Sequence, residues 1–156
     1  RAVGVPSLSR LAQKFPNLQF PSELNKWYAA SLHKDLKGEW DFNLDWKKSS
    51  YPKVRISFIR AIYEAQKEIH QGVRVDVPVL VMHSHQTKNP RKWGKDAQSS
   101  DVILDVKDIQ KYAKKIQGDV TIREIPNGVH DLVLSEKTVR DSVYQQLFSW
   151  LETKGL

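Results

Sequence analysis

The clearest ordering of apolar and polar positions lies between Val77 and Ser135. Val77-Pro78-Val79-Leu80-Val81-Met82-His83-Ser84 is an apolar run rich in β-branched residues and bounded by polar loops. That pattern predicts a strand buried on both faces. From Asp105 to Gly118 the apolar residues Val106, Ile109, Ala113 and Ile116 recur at helical spacing, with Asp105 as the N-cap and Gly118 as the terminating glycine. Asp119 to Ile125 predicts a second strand. Strand, helix and strand in this order predict a right-handed parallel crossover. Sites of open parallel sheets form beyond the carboxyl ends of strands, and Asp101 and His130 both lie past such ends.

Upstream the signals are weaker. Residues 1–21 read as irregular, broken by Pro6, Pro16 and Pro21 and anchored by Leu8, Leu11, Phe15, Leu18 and Phe20. Ser22 to His33 predicts a helix with Ser22 as N-cap and Leu24, Trp27, Tyr28 and Leu32 on one face. Trp40, Phe42, Leu44 and Trp46 alternate with polar residues at period two, which predicts a short half-buried strand or extended arm. Lys47 to Pro52 is a turn-rich break. Lys53 to His70 predicts a strong helix through Val54, Phe58, Ala61, Ile62, Ala65 and Ile69, ended by Gly72. Glu136 to Glu152 predicts another, with Val139, Val143, Leu147, Phe148 and Leu151 buried. The fold class is therefore α/β. The Val77 strand needs a neighbour on each side and the chain offers one good partner, so further strands are expected from residues before Arg1, from a second copy or from another chain. The chain begins with Arg1 rather than Met, which fits a piece of something longer.

Composition narrows the chemistry. The 156 residues suffice for one domain with a real core. No apolar run approaches the roughly 20 residues of a membrane helix. Without cysteine there are no disulfides, no thiol catalysis and no cysteine-held zinc, and a reducing, cytoplasmic setting is expected. The net charge of +7 permits contact with nucleic acid or an anionic membrane. Because the lysines are scattered, a solvated basic surface is the expected reading, with no nucleic acid as partner.

Candidate residues carry competing readings. His130 is either a loop histidine or a general base, and its 29-residue spacing from Asp101 suits one helix and one strand between acid and base. Asp96 and Asp105 compete with Asp101; Asp105 reads better as a helix cap and Asp96 as a solvated carboxylate. His83 and His85 have the spacing of two metal ligands on one strand face but lack a carboxylate cluster, so no metal and no cofactor are expected. Ser84, Ser99, Ser100 and Ser135 lie outside any nucleophile-elbow pattern and read as capping or loop serines.

Several stretches together resemble the C-terminal half of an α/β-hydrolase of the serine aminopeptidase S33 type, a group that includes monoacylglycerol lipases and lysophospholipase-like hydrolases. They are Ser31-Leu32-His33, Gly38-Glu39-Trp40-Asp41-Phe42, Pro78-Val79-Leu80-Val81-Met82-His83-Ser84, Asp101-Val102-Ile103-Leu104-Asp105-Val106, Gly128-Val129-His130-Asp131-Leu132-Val133-Leu134-Ser135 and Trp150-Leu151. The resemblance implies the last parallel strands of a hydrolase sheet with flanking helices over 73–156, preceded by a mostly helical lid over 1–72. It implies Asp101 as the triad acid and His130 as its histidine. Trp27, Trp40, Phe42 and Trp46 would line an acyl pocket, and the substrate would be a small-molecule acyl ester such as a lysophospholipid or glyceride. No Gly-x-Ser-x-Gly occurs in the chain, so the nucleophile and oxyanion hole are expected upstream, in the N-terminal half of the same hydrolase, and this chain alone is expected to be inactive. Peripheral membrane contact would suit such a substrate. The alternative is a non-catalytic interaction module, or a decayed hydrolase, whose basic surface binds anionic lipid or nucleic acid.

Overall fold

The computed structural model describes residues 5–22, 25–48 and 51–156. Helix α1 (Val5–Lys14) is followed by the two-residue strand β1 (Gln19–Phe20), and α2 (Lys26–Ala30) by the strand β2 (Val54–Arg55), which leads directly into α3 (Ile56–Gln71). Then come β3 (Val79–Ser84), α4 (Lys95–Gln98), α5 (Val106–Ala113), β4 (Val120–Ile125), a single 3-10 turn over Leu132–Leu134, and α6 (Lys137–Lys154). β3 and β4 pair in parallel from Val79 opposite Val120 to Ser84 opposite Ile125. β1 and β2 pair antiparallel through Gln19–Arg55 and Phe20–Val54.

The parallel β3–α5–β4 unit follows its periodicity closely. Asp105 caps α5, its side chain accepting from the Lys107 N–H. α5 stops at Ala113, short of the predicted Gly118, because Gln117 leaves the helix to pair with the segment before β3: its N–H donates to Val73 O at 2.8 Å and its carbonyl accepts from Val75 N–H at 2.9 Å. Gly118 at φ +132° then reverses the chain into β4. α6 is held against β4 by Trp150, whose indole N–H donates to the Thr121 hydroxyl at 3.0 Å.

Other expectations need correction. The stretch expected to be irregular contains a helix, α1, over Val5–Lys14; residues 1–4 lie outside the described residues. Pro6 falls in its first turn, where a missing N–H costs no helical bond, so it does not break the helix. α2 is shorter than predicted and its cap is Asn25 rather than Ser22, the Asn25 side chain accepting from Trp27 N–H; Leu24 lies outside the described residues. Residues 40–46 form no strand: Trp40 makes a single bridge to His33, and turns follow. β3 is half-buried over Val79–Met82 rather than buried on both faces, because among the described residues β4 alone flanks it. The apolar faces of α3 and α6 also stay partly open, with Phe58 59% and Phe148 57% exposed.

The best-defined apolar cluster is not under the sheet. Tyr28 and Leu32 come from α2 and the turn after it, Val102 from the loop after α4 and Val129 from the loop after β4, with Phe42, Tyr51, Ile103 and Leu134 packed around them. Burying this cluster joins the segment 25–48 to the loops that carry Asp101 and His130.

Candidate active site

Asp101 is fixed before it meets any partner. Its backbone N–H donates to Gln86 O at 2.9 Å, and its carbonyl accepts from Lys88 N–H at 3.0 Å, so the extension of β3 sets its place. Its Oδ1 accepts the N–H groups of Ile103 and Leu104, both at 2.8 Å. That tight local turn leaves Oδ2 to accept from His130 Nδ1 at 2.9 Å. The residue is 2% exposed.

His130 sits on a loop bent immediately after β4. Asn127 adopts φ +59°, a left-handed conformation that asparagine tolerates, and Gly128 N–H returns to Ile125 O at 3.2 Å. Val129 is buried and donates its N–H to the Ser135 hydroxyl oxygen at 3.1 Å. With Val129 and Ser135 anchored inside, His130 is carried between them with 27% of its side chain exposed.

The electrostatics follow from this geometry. Burial opposes ionisation of Asp101, but hydrogen bonds from His130, Leu104 N–H and Ile103 N–H outweigh it and hold the carboxyl below its ordinary range. The hydrogen bond to Asp101 raises the imidazole above its ordinary 6.5 against the opposing effect of burial; Asp131 adds to the rise and Lys47 subtracts from it. An ionised Asp101 can only accept, so Nδ1 carries the proton and Nε2 of the neutral ring is the basic nitrogen.

Asp131 was not among the residues singled out in the sequence, nor were Tyr28 and Lys47 in any chemical role. The Tyr28 hydroxyl donates to Asp131 Oδ2. Lys47 Nζ lies 3.3 Å from the same oxygen and 3.4 Å from the Tyr28 hydroxyl. The Tyr28 ring meets the His130 ring edge-on, centroids 5.8 Å apart. Burial, then the Asp131 carboxylate, push the Tyr28 phenol far upward, so it stays a neutral donor. A local sequence signal for this cluster does not exist, because its members are separated by as many as 103 positions.

The aromatic residues expected around an acyl pocket are dispersed. Trp27 packs edge-on against Trp93 at 5.8 Å. Trp40 donates its indole N–H to Leu134 O at 3.0 Å and lies under the Arg140 guanidinium at 4.4 Å. Phe42 packs against the His33 ring at 4.7 Å and against the apolar cluster. Trp46 is 89% exposed. Asp96 is exposed, while its carbonyl accepts from Ser100. His83 and His85 do not converge: His83 Nδ1 is 2.6 Å from Ser84 O, and His85 Nδ1 accepts from Asn127 N–H. Among the described residues no group of three or more His, Cys, Asp or Glu is placed to hold a metal ion, and no helix is long and apolar enough to cross a membrane.

The parallel pair of β3 and β4 with its flanking helices defines an α/β fold. The crystal structure of a soluble variant of monoglyceride lipase from Saccharomyces cerevisiae, in complex with a substrate analog, matches this chain with a TM-score of 0.55 at 16% identity. The match covers 97% of this chain and 48% of the lipase chain. At that identity the likeness establishes the fold, a partial α/β-hydrolase, with the chain spanning about half the length of its structural neighbour. Neither a protein-family model nor a curated protein matches the chain.

Proposed function

We propose that this chain supplies the acid, Asp101, and the histidine, His130, of a serine hydrolase that cleaves carboxylic esters of acyl-lipid type. The observation that carries the reading is the 2.9 Å contact between Asp101 Oδ2 and His130 Nδ1, with the other Asp101 oxygen held by two backbone N–H groups. A buried carboxylate locked in this way fixes the imidazole tautomer and stabilises the imidazolium formed when Nε2 takes a proton from a serine hydroxyl. His130 then returns that proton to the leaving alkoxide. Water repeats the cycle on the acyl-enzyme. The serine and the oxyanion hole would come from the remaining half of the hydrolase fold, from the same or a second polypeptide, because the chain contains no Gly-x-Ser-x-Gly.

In this reading residues 1–72 act as a lid and 73–156 as the C-terminal part of the core. The likeness to a monoglyceride lipase fold supports a lysophospholipid or glyceride as substrate, with Trp27, Trp40, Phe42 and Trp46 belonging to the lid by position and not to one pocket wall. Peripheral membrane contact is supported by an open groove of about 580 Å³ beside α1, lined by Leu11, Lys14, Phe15, Pro16, Asn17 and Leu18. A cytoplasmic setting agrees with the absence of cysteine. Lys34, Lys67, Lys137 and Lys154 are each paired with a nearby carboxylate, which weighs against the alternative of a continuous basic face for nucleic acid or anionic lipid.

Labelling with a fluorophosphonate probe tests the proposal. The 156-residue chain is expected to gain no adduct. The protein that also contains the missing half is expected to gain one, on a serine outside these residues, and to lose it in His130→Ala. Labelling that survives His130→Ala would overturn the assignment.

A further inference from the structure

Asp131 precedes a 3-10 turn at the position where an aspartate ordinarily caps, yet its side chain makes no capping hydrogen bond. Its Oδ2 instead accepts from Tyr28 on α2 and from Lys47. The residue directly after His130 is thereby tied to the segment 25–48 by its side chain. Three residues further on, the same segment grips the loop again, through the Trp40 indole on Leu134 O. Tyr28 itself is 8% exposed and belongs to the cluster that buries Val129, the residue directly before His130. The groups facing the imidazole are Asp101, Asp131, Lys47 and Tyr28. Within that set Lys47 and Asp131 form an ion pair whose charges act on the ring in opposite directions, leaving Asp101 as the uncompensated counter-charge.

We propose that Tyr28 is a positioning residue for His130, acting through the Asp131 carboxylate that it shares with Lys47, so that the segment 25–48 orients the histidine as well as covering it. The proposal rests on reading His130 as the general base. An imidazole on a loop can rotate away from its acid; a phenol donating to the next residue and packing edge-on against the ring limits that rotation. Lys47, 3.3 Å from Asp131 Oδ2, offsets that carboxylate's charge, so the link adds no second net negative charge beside the ring.

Tyr28→Phe separates the hydroxyl link from ring packing, since the ring is retained. Asp131→Ala removes the same link from the other end and takes no cap from the 3-10 turn. The first readout is exchange of the His130 Nδ1 proton by NMR in the 156-residue chain, each variant compared at its own His130 midpoint. Both variants are expected to speed exchange by about tenfold, with the double variant adding little, because both cut one link. The second readout is kinetics in the serine-bearing protein, where Tyr28→Phe is expected to lower kcat by about tenfold with KM unchanged, the signature of lost orientation rather than lost binding. Wild-type exchange in both variants, or an effect on KM alone, would overturn the proposal. If no fluorophosphonate adduct forms in the serine-bearing protein, the general-base reading falls while the exchange rates still decide whether Tyr28 holds the ring. Should Tyr28→Phe fail to fold, Asp131→Ala decides both readouts.

Discussion

Ser135 closes the loop that carries His130: its hydroxyl oxygen accepts the Val129 N–H, six positions back, at 3.1 Å. Both residues are buried, Ser135 at 1% exposure and Val129 at 3%. Ser135→Ala leaves that N–H without its acceptor inside the protein. The expected loss is about 1–3 kcal/mol in urea unfolding, the cost of an unsatisfied buried donor. A loss near zero would show that the loop relaxes to let water in.

The neighbouring carboxylates Asp101 and Asp105 have separable jobs. In the serine-bearing protein, Asp101→Asn is expected to lower kcat by about 10⁴-fold while leaving the fold intact, because the amide oxygen can still accept from Ile103 and Leu104. Asp105→Ala is expected to leave kcat near wild type and to cost about 1 kcal/mol of stability, through loss of the α5 cap on Lys107 N–H. Steady-state kinetics alongside thermal melts checks both. The reverse pattern would move the acid to Asp105.

The two shifted groups set opposite limits on pH. His130 titrates above its ordinary 6.5 when folded, so its contribution to stability is complete below 6.5 and is lost as pH rises through the raised value. Asp101 titrates below its ordinary 3.8, so its contribution is present above 3.8 and is lost as pH falls through the lowered value. A general base at His130 works only as the neutral imidazole, so on the proposed function kcat/KM of the serine-bearing protein is expected to rise with pH through the His130 titration. Asp101→Asn should move the His130 midpoint downward, as read by NMR of the ring protons. An upward move would mean that Asp101 does not provide the main attraction.

Gly38 lies against the backbone of the core residue Leu32. A Cβ there would stand 2.1 Å from the Leu32 carbonyl carbon and 2.2 Å from its oxygen. That oxygen already accepts from Trp40 N–H at 2.9 Å, and backbone cannot yield as a flexible side chain can. Gly38→Ala is expected to cost about 3 kcal/mol or more and to loosen the Trp40 contact with Leu134. Denaturant unfolding, with indole N–H exchange at Trp40, checks it; a stability change under about 0.5 kcal/mol would contradict the packing described.

Local pattern was enough for the existence and type of β3, α5, β4 and α6, since the period of each lies within its own residues, although α5 ends at Ala113 rather than at Gly118. Asp105 and Gly72 could be read as helix ends because a cap is a contact between near neighbours. The same local logic failed where burial overrode it. Period two over Trp40–Trp46 promised a strand, but Trp40 turned toward Leu134 and Arg140 while Trp46 stayed 89% exposed. The three prolines near the start suggested disruption, although only their position within a turn decides whether they disrupt.

By itself, then, the sequence determined an α/β chain with two parallel strands, a crossover helix, and an aspartate and a histidine in the loops beyond those strands. Tertiary structure alone decided that Asp101 directs one oxygen to His130 and the other to its own turn, and that Tyr28, Lys47 and Asp131 close around the ring. The physical reason is distance along the chain. Periodicity tells which face of an element seeks burial, but a hydrogen bond between Tyr28 and Asp131 exists only once packing of Leu32, Val102 and Val129 has brought residues 103 positions apart together.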